Sequence, residues 1–143
     1  MKAHIVEVCT SREKGTQKTP VPTARVIEGF GIEGDAHGGN WKRQISLLAQ
    51  ENADEMRALG AEIEPGAFGE NILTRGIALE KLPLGTRLAS EEVVLEVTQI
   101  GKKCHTRCAI FEAAGTCIMP THGIFCRVIQ GGILKPGLEI QRI

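Results

Sequence analysis

Apolar and polar positions alternate along residues 3–9, with Ile5 between His4 and Val6, and the alternation stops at the polar run 10–15. That pattern predicts a half-buried strand followed by a loop. Residues 23–27 have the same extended character, whereas residues 44–49 form a short run with a continuous apolar end, which predicts a strand covered on both faces. Residues 50–59 switch period: Ala53, Met56 and Leu59 recur at helical spacing among good helix formers, and Gly60 stops them. Turn chemistry surrounds a short strand in 66–76, and strands are predicted at 86–89, 93–100, 124–129 and 138–143, with a short helix at 106–115. Many short strands and one or two helices predict a mostly β fold with a few short helices, barrel-like in its closure. No internal repeat, linker or low-complexity stretch divides the chain, so residues 1–143 are expected to form a single domain.

Composition narrows the function classes. A chain of 143 residues can bury a continuous core without disulfides or a structural metal. Lysine plus arginine and aspartate plus glutamate are 17 each, so no global field draws in nucleic acid or an anionic membrane. One Trp, four Phe and no Tyr leave little for a base-stacking platform, and nucleic acid is not expected as a partner. No apolar run approaches a membrane span and residues 1–7 lack a signal-peptide core, so a soluble, cytoplasmic protein without a membrane partner is expected.

Five cysteines then change the picture. Their odd number and the expected reducing compartment argue against a disulfide framework, which leaves core packing, metal ligation or nucleophilic chemistry. Cys104, Cys108, Cys117, His122 and Cys126 supply enough soft ligands for tetrahedral zinc, although the spacing contains no C-x2-C pair. Cys126 and Cys9 sit inside strand patterns, where a free thiol behaves as a small core residue. Cys104 differs. It follows a strand end and the turn Gly101-Lys102-Lys103, and Lys103 and His105 flank it; neighbouring cations favour the thiolate, the form that attacks, carries sulfur or binds metal.

Two glycine-rich segments hold the other candidate groups. Asp35 and His37 stand between Gly34 and Gly38, as a general-base pair or as hydrogen-bonding partners of a tight turn. Glu70 and Asn71 follow Gly69, with the same two readings.

In order, Gly31-Ile32-Glu33-Gly34-Asp35-Ala36-His37, Gly66-Ala67-Phe68-Gly69-Glu70-Asn71-Ile72, Leu84-Gly85, Val97-Thr98-Gln99 leading to Cys104, and the closing Arg127-Val128, Gly131-Gly132 and Gly137 resemble the MOSC family. That family is named for the C-terminal domain of molybdenum cofactor sulfurase, and the resemblance covers nearly the whole chain. It implies a stand-alone, bacterial-type member with a β-barrel-like fold and an activity involving sulfur or the molybdenum cofactor. Pyridoxal phosphate belongs to the separate desulfurase domain of longer relatives and is not expected to bind here. The family's signature cysteine falls on Cys104, where this chain has Lys103 in place of the proline common in relatives.

The resemblance implies that Cys104 either carries sulfane sulfur as a persulfide or ligates molybdenum, as an enzyme of sulfur transfer or molybdenum-dependent redox chemistry. Lys102, Lys103 and Arg107 would hold the cofactor's phosphate, and Asp35, His37, Glu70 and Asn71 would line the pterin pocket. Implied partners are a sulfur donor such as a cysteine desulfurase, and molybdenum-cofactor biosynthesis proteins or molybdoenzymes. The alternatives are a non-catalytic module that binds the cofactor or molybdate, and a zinc-stabilised structural domain.

Overall fold

The structure is a computed structural model that describes residues 3–14, 16–101 and 122–143. Its elements in chain order are β1 (His4–Thr10), β2 (Thr19–Pro20), β3 (Ala24–Ile27), β4 (Gly31–Ile32), β5 (Ile45–Ala49), α1 (Gln50–Ala58), β6 (Ile72–Arg75), a single 3-10 turn (Leu79–Lys81), β7 (Arg87–Ser90), β8 (Val93–Ile100), β9 (Ile124–Gln130), β10 (Gly132–Leu134) and β11 (Gln141–Arg142). The helix expected at 106–115 lies outside the described residues. The strand expected at 138–143 is shorter than its apolar pattern, because residues 137–140 bond irregularly to β1 before β11 begins.

An eight-stranded sheet runs in the order β11-β7-β8-β9-β5-β6-β1-β2, and a second sheet orders β10-β3-β4. Neighbouring strands of the large sheet pair antiparallel except β5 with β6. A parallel pair needs a crossover, and α1 supplies it directly from the end of β5. No side chain caps α1 at Ala49, since the chain passes from strand to helix without a loop. The sheet curls into a half-barrel. Its first strand meets the segment that leads into its far edge: Ile5 N donates to Leu138 O, Gly137 N to Ile5 O and Ile140 N to Ala3 O.

Curling divides the buried side chains into two groups. Ile5, Val8, Ile45, Leu47, Ile72, Leu95, Val97, Ile124 and Cys126 point into the barrel core with Ala24, Val26 and Leu134 from the small sheet. Leu48, Leu73 and Phe125 point to the other face, beneath Ala53 and Met56 of α1 and Ile63 beyond it. The all-buried pattern of β5 follows from this double cover, with Ile45 and Leu47 inward and Leu48 toward the helix.

Leu47 is fully buried at the centre of the larger cluster. Leu47→Ala is expected to destabilise the fold by about 3 kcal/mol, from lost apolar burial plus the residual cavity. A urea unfolding curve with unchanged slope and a lower midpoint is the check.

Candidate functional site

Asp35 ends the tight turn after β4, and its side chain is completely buried. The carboxylate is held from three directions: Oδ1 accepts from Lys18 Nζ at 2.8 Å and from Ser11 N at 3.0 Å, and Oδ2 accepts from His37 N at 3.2 Å. Lys18 is equally buried, and its ammonium also donates to Ser11 Oγ at 3.1 Å. Burial by itself would raise the Asp35 carboxyl. The Lys18 and Ser11 hydrogen bonds, the Lys18 charge and the Asn71 side chain outweigh it and hold the group below its ordinary value. Asp35 is thus ionised at neutral pH, and its bonds tie the loops after β1 and β4 to the segment before β2.

A second network lies beside the first. Asn71 is fully buried; its Oδ1 accepts from Ser46 N at 3.0 Å, its Nδ2 donates to Cys9 O at 3.1 Å, and its backbone N donates to Ser46 Oγ at 3.0 Å. These bonds continue a row across the sheet. Gln99 is the register partner of Phe125, Phe125 that of Ser46, Asn71 N donates to Ser46 O, and Cys9 N donates to Asn71 O. The next row contains Ile100 and Ile124, the last residue of β8 and the first of β9. The polar cluster and the base of the cysteine-bearing segment therefore stand one row apart.

Glu70 is 1% exposed and closes its own turn, accepting from Gly66 N at 2.7 Å and Phe68 N at 3.0 Å. Desolvation dominates its titration and raises the carboxyl above its ordinary value, against the Gly66 and Phe68 bonds and the Lys18 charge. The turn it closes grips Lys18: Lys18 N donates to Gly66 O, and a Cβ on Gly66 would lie 2.0 Å from Lys18 O. Gly66 also has φ +92°, in the region that disfavours side chains.

His37 is the outward member of the Asp35 turn. Its side chain is 22% exposed, with Nδ1 3.9 Å from Asp35 Oδ2. Trp41 Nε1 donates to His37 O at 2.8 Å, and the two rings lie parallel within 7° with centroids 6.4 Å apart. A groove of about 470 Å3 opens beside Trp41, bordered by Glu28, Lys42, Glu96, Thr98 and Arg127. Thr98, at a bulge between β8 and β9, donates to Phe125 O at 3.1 Å and contacts Lys42 O, pinning the Trp41 loop onto the sheet.

Of the residues singled out in the sequence, Asp35, His37, Glu70 and Asn71 therefore converge, with Asp35, Glu70 and Asn71 buried and bonded to backbone groups and His37 facing outward. Lys102, Lys103, Cys104, Arg107, Cys108 and Cys117 lie outside the described residues. Cys9 and Cys126 are fully buried. Desolvation, with Glu70 and Glu7 nearby, pushes the Cys9 thiol to about 12, and burial with Glu96 nearby pushes Cys126 higher still. Neither supplies a thiolate at neutral pH. Among the described residues no three His, Cys, Asp or Glu side chains converge on a metal position, and no helix among them is long and apolar enough to cross a membrane.

Ser11, Lys18, Ser46 and Trp41 were missed in the sequence. Lys18 stands in a polar loop like any solvated lysine, and only the compensating Asp35 in space explains its burial. Trp41 carried a usable signal, as the chain's single tryptophan one turn beyond the Asp35-Ala36-His37 block.

The two carboxylates predict opposite pH effects. Asp35 has a depressed folded value, so its contribution is fully present above the unfolded carboxylate value of 3.8 and is lost as pH falls through the folded one. Glu70 has a raised folded value, so stability increases as pH falls through that value and levels off near its unfolded 4.5. Urea unfolding from about pH 7 to about pH 3 should show this rise and then the fall; Glu70→Gln removes the first and the double variant Lys18→Met/Asp35→Asn the second. Gly66→Ala is expected to destabilise by about 2–4 kcal/mol, from left-handed strain plus a backbone clash. Gly69→Ala, at φ +78° with nothing within 4 Å of the added methyl, should be limited to about 1 kcal/mol of strain. Equal losses in parallel melts would contradict the Lys18 clasp.

Comparison with known proteins bears on the fold and the family. The uncharacterized protein YflK of Bacillus subtilis (strain 168) is 24% identical over 139 residues, covering 90% of this chain; the chain spans 63% of YflK's length. Among solved structures, YuaD of Bacillus subtilis superposes with a TM-score of 0.83 at 22% identity, covering 98% of this chain and 94% of YuaD. YiiM of Geobacillus stearothermophilus gives 0.71 at 20% identity over 99% of this chain and 75% of its own, and YiiM of Escherichia coli gives 0.70 at 18% over 100% and 70%. These likenesses establish the fold. The family model of the MOSC domain matches residues 33–141, from the Asp35 turn to β11. The chain belongs to the MOSC domain family, a molybdenum-cofactor-related family.

Proposed function

We propose that this chain is a sulfur-carrying or molybdenum-cofactor-binding protein whose reactive group is the Cys104 thiolate. The observation that carries the reading is the row Gln99–Phe125–Ser46–Asn71–Cys9, which sets a buried polar cluster one row from the base of the segment bearing Cys104. Cys9 and Cys126 are buried and hard to ionise, so thiol chemistry falls to residues 102–121. In the carrier form, the Cys104 thiolate attacks the terminal sulfur of a donor persulfide such as that of a cysteine desulfurase. The donor's S–S bond breaks, the donor leaves as a thiolate, and Cys104 holds the sulfane sulfur with no net oxidation.

The donor chemistry fits the molybdenum cofactor in part. His37 and the groove beside Trp41 offer hydrogen-bonding and cationic groups for a pterin and its phosphate, whereas a soft ligand for molybdenum would come from Cys104. When bound, the cofactor would supply the redox-active metal. The chain's own residues would then do three things: Asp35 and Lys18 hold the His37 loop in place, Asn71 and Ser46 fix the sheet row below it, and Lys102, Lys103 and Arg107 hold phosphate. Molybdenum-cofactor biosynthesis proteins or molybdoenzymes would receive the product. Pyridoxal phosphate has no part in this reading.

Protein expressed in a host that makes the molybdenum cofactor should carry molybdenum or added sulfur mass, and Cys104→Ser should lose it while keeping the wild-type melting profile. Elemental analysis and intact-mass spectrometry read both. Neither molybdenum nor sulfur on the wild type would refute both forms. Loading unchanged in Cys104→Ser would leave a binding module whose cysteines are structural, and stoichiometric zinc with unfolding by chelators would mark a structural metal.

A further inference from the structure

Trp41 organises permanent positive charge. The Arg43 guanidinium lies 4.6 Å and the Lys14 ammonium 5.7 Å from its ring centroid, both within the range at which an indole attracts a cation. The His37 ring stacks beside the same indole, and Lys42 borders the adjoining groove. Two like charges on one ring repel unless something balances them. Among the described residues neither Lys14 nor Arg43 pairs with a carboxylate. Asp35 does not serve, because Lys18 neutralises it inside the protein. Of the groove's two carboxylates, Glu96 is held by Arg87 at 3.2 Å and Arg127 at 2.9 Å, and Glu28 shares the groove wall with Lys42.

We infer that Trp41, Lys14 and Arg43 form an anion site next to the 470 Å3 groove that Trp41 and Lys42 line, and that it takes an oxyanion, free or as the phosphate of a larger ligand. The guanidinium supplies a planar fork that matches two oxygens, and the ammonium supplies a mobile point charge. Without a ligand the indole holds both cations, and the Arg43 guanidinium also lies 5.8 Å from the Phe125 ring centroid. An oxyanion draws them off the ring and cancels their repulsion, while the groove has room for whatever the phosphate is attached to. This site is separate from Lys102, Lys103 and Arg107, and it does not depend on Cys104 or on molybdenum.

The chain contains one tryptophan and no tyrosine, so its intrinsic emission reports on this ring alone. Inorganic phosphate, molybdate and a nucleoside monophosphate are titrated against that emission at constant ionic strength, with chloride as control. A saturable change is expected, and Arg43→Gln and Lys14→Gln should each weaken it about tenfold, the loss of one charge-assisted contact. Arg25→Gln, on the exposed side of β3, should leave it unchanged. Saturation by the inorganic anions identifies a free oxyanion, and saturation by the monoester alone identifies a phosphorylated ligand; either supports the site. A change matched by chloride, or one that survives Arg43→Gln at wild-type affinity, overturns it. Saturable phosphate binding by a protein that never carries molybdenum would keep this site and remove the cofactor reading, and the reverse result would do the opposite.

Discussion

The buried contact between Lys18 and Asp35 is the constraint on which the site depends. Two opposite charges removed from water lose several kcal/mol of solvation each, and their attraction repays this only when the remaining donors and acceptors are also used. Here they are used: Ser11 and His37 donate to the carboxylate, and Ser11 Oγ accepts from the ammonium. Such a pair adds little to global stability compared with a well-packed apolar substitute. What it fixes is geometry, because Lys18 is gripped by the Gly66 turn while Asp35 belongs to the turn after β4. Glu70 holds the first turn closed, so one buried acid braces the loop that places the partner of another.

Strands with a strong period and enough length were legible in the sequence. Residues 93–100 and 44–49 alternate or run apolar because one or both of their faces meet the two clusters, and α1 ends at Ala58, two residues short of Gly60, where the spacing of Ala53 and Met56 stops. β2, β4 and β10 were not legible, since strands of two or three residues are defined by their partners rather than by any period of their own. The parallel contact of β5 with β6 was equally hidden, as nothing in a run of buried residues tells which direction its neighbour takes. Within the site, the glycine-bracketed Asp35, His37, Glu70 and Asn71 stood out by residue type, while Lys18 and Ser46 did not. Their importance comes from burial, and burial of a lone polar side chain leaves no mark on its neighbours in sequence.

Sulfur density alone would treat the cysteines as equivalent, and the fold separates them. Cys126 takes its place in the barrel core opposite Val97, and Cys9 is fully buried at the end of the Asn71 row, so both are small packing residues with suppressed acidity. The chemically informative groups among the described residues are instead nitrogen and oxygen. The cations around the Trp41 indole suit an anionic ligand, whereas the ionised Asp35 carboxylate is neutralised by Lys18 and holds the loops in place.

The bonds from β1 to residues 137–140 carry a consequence for biosynthesis. β1 cannot complete its pairing until residues 137–140 have been made, so the half-barrel closes only after β7 to β10 have formed. β5, α1 and β6, by contrast, are close in sequence and can assemble while synthesis continues. A nascent chain would therefore present a helix-covered β5–β6 unit with β1 paired to β6 and its bonds to residues 137–140 still unmade.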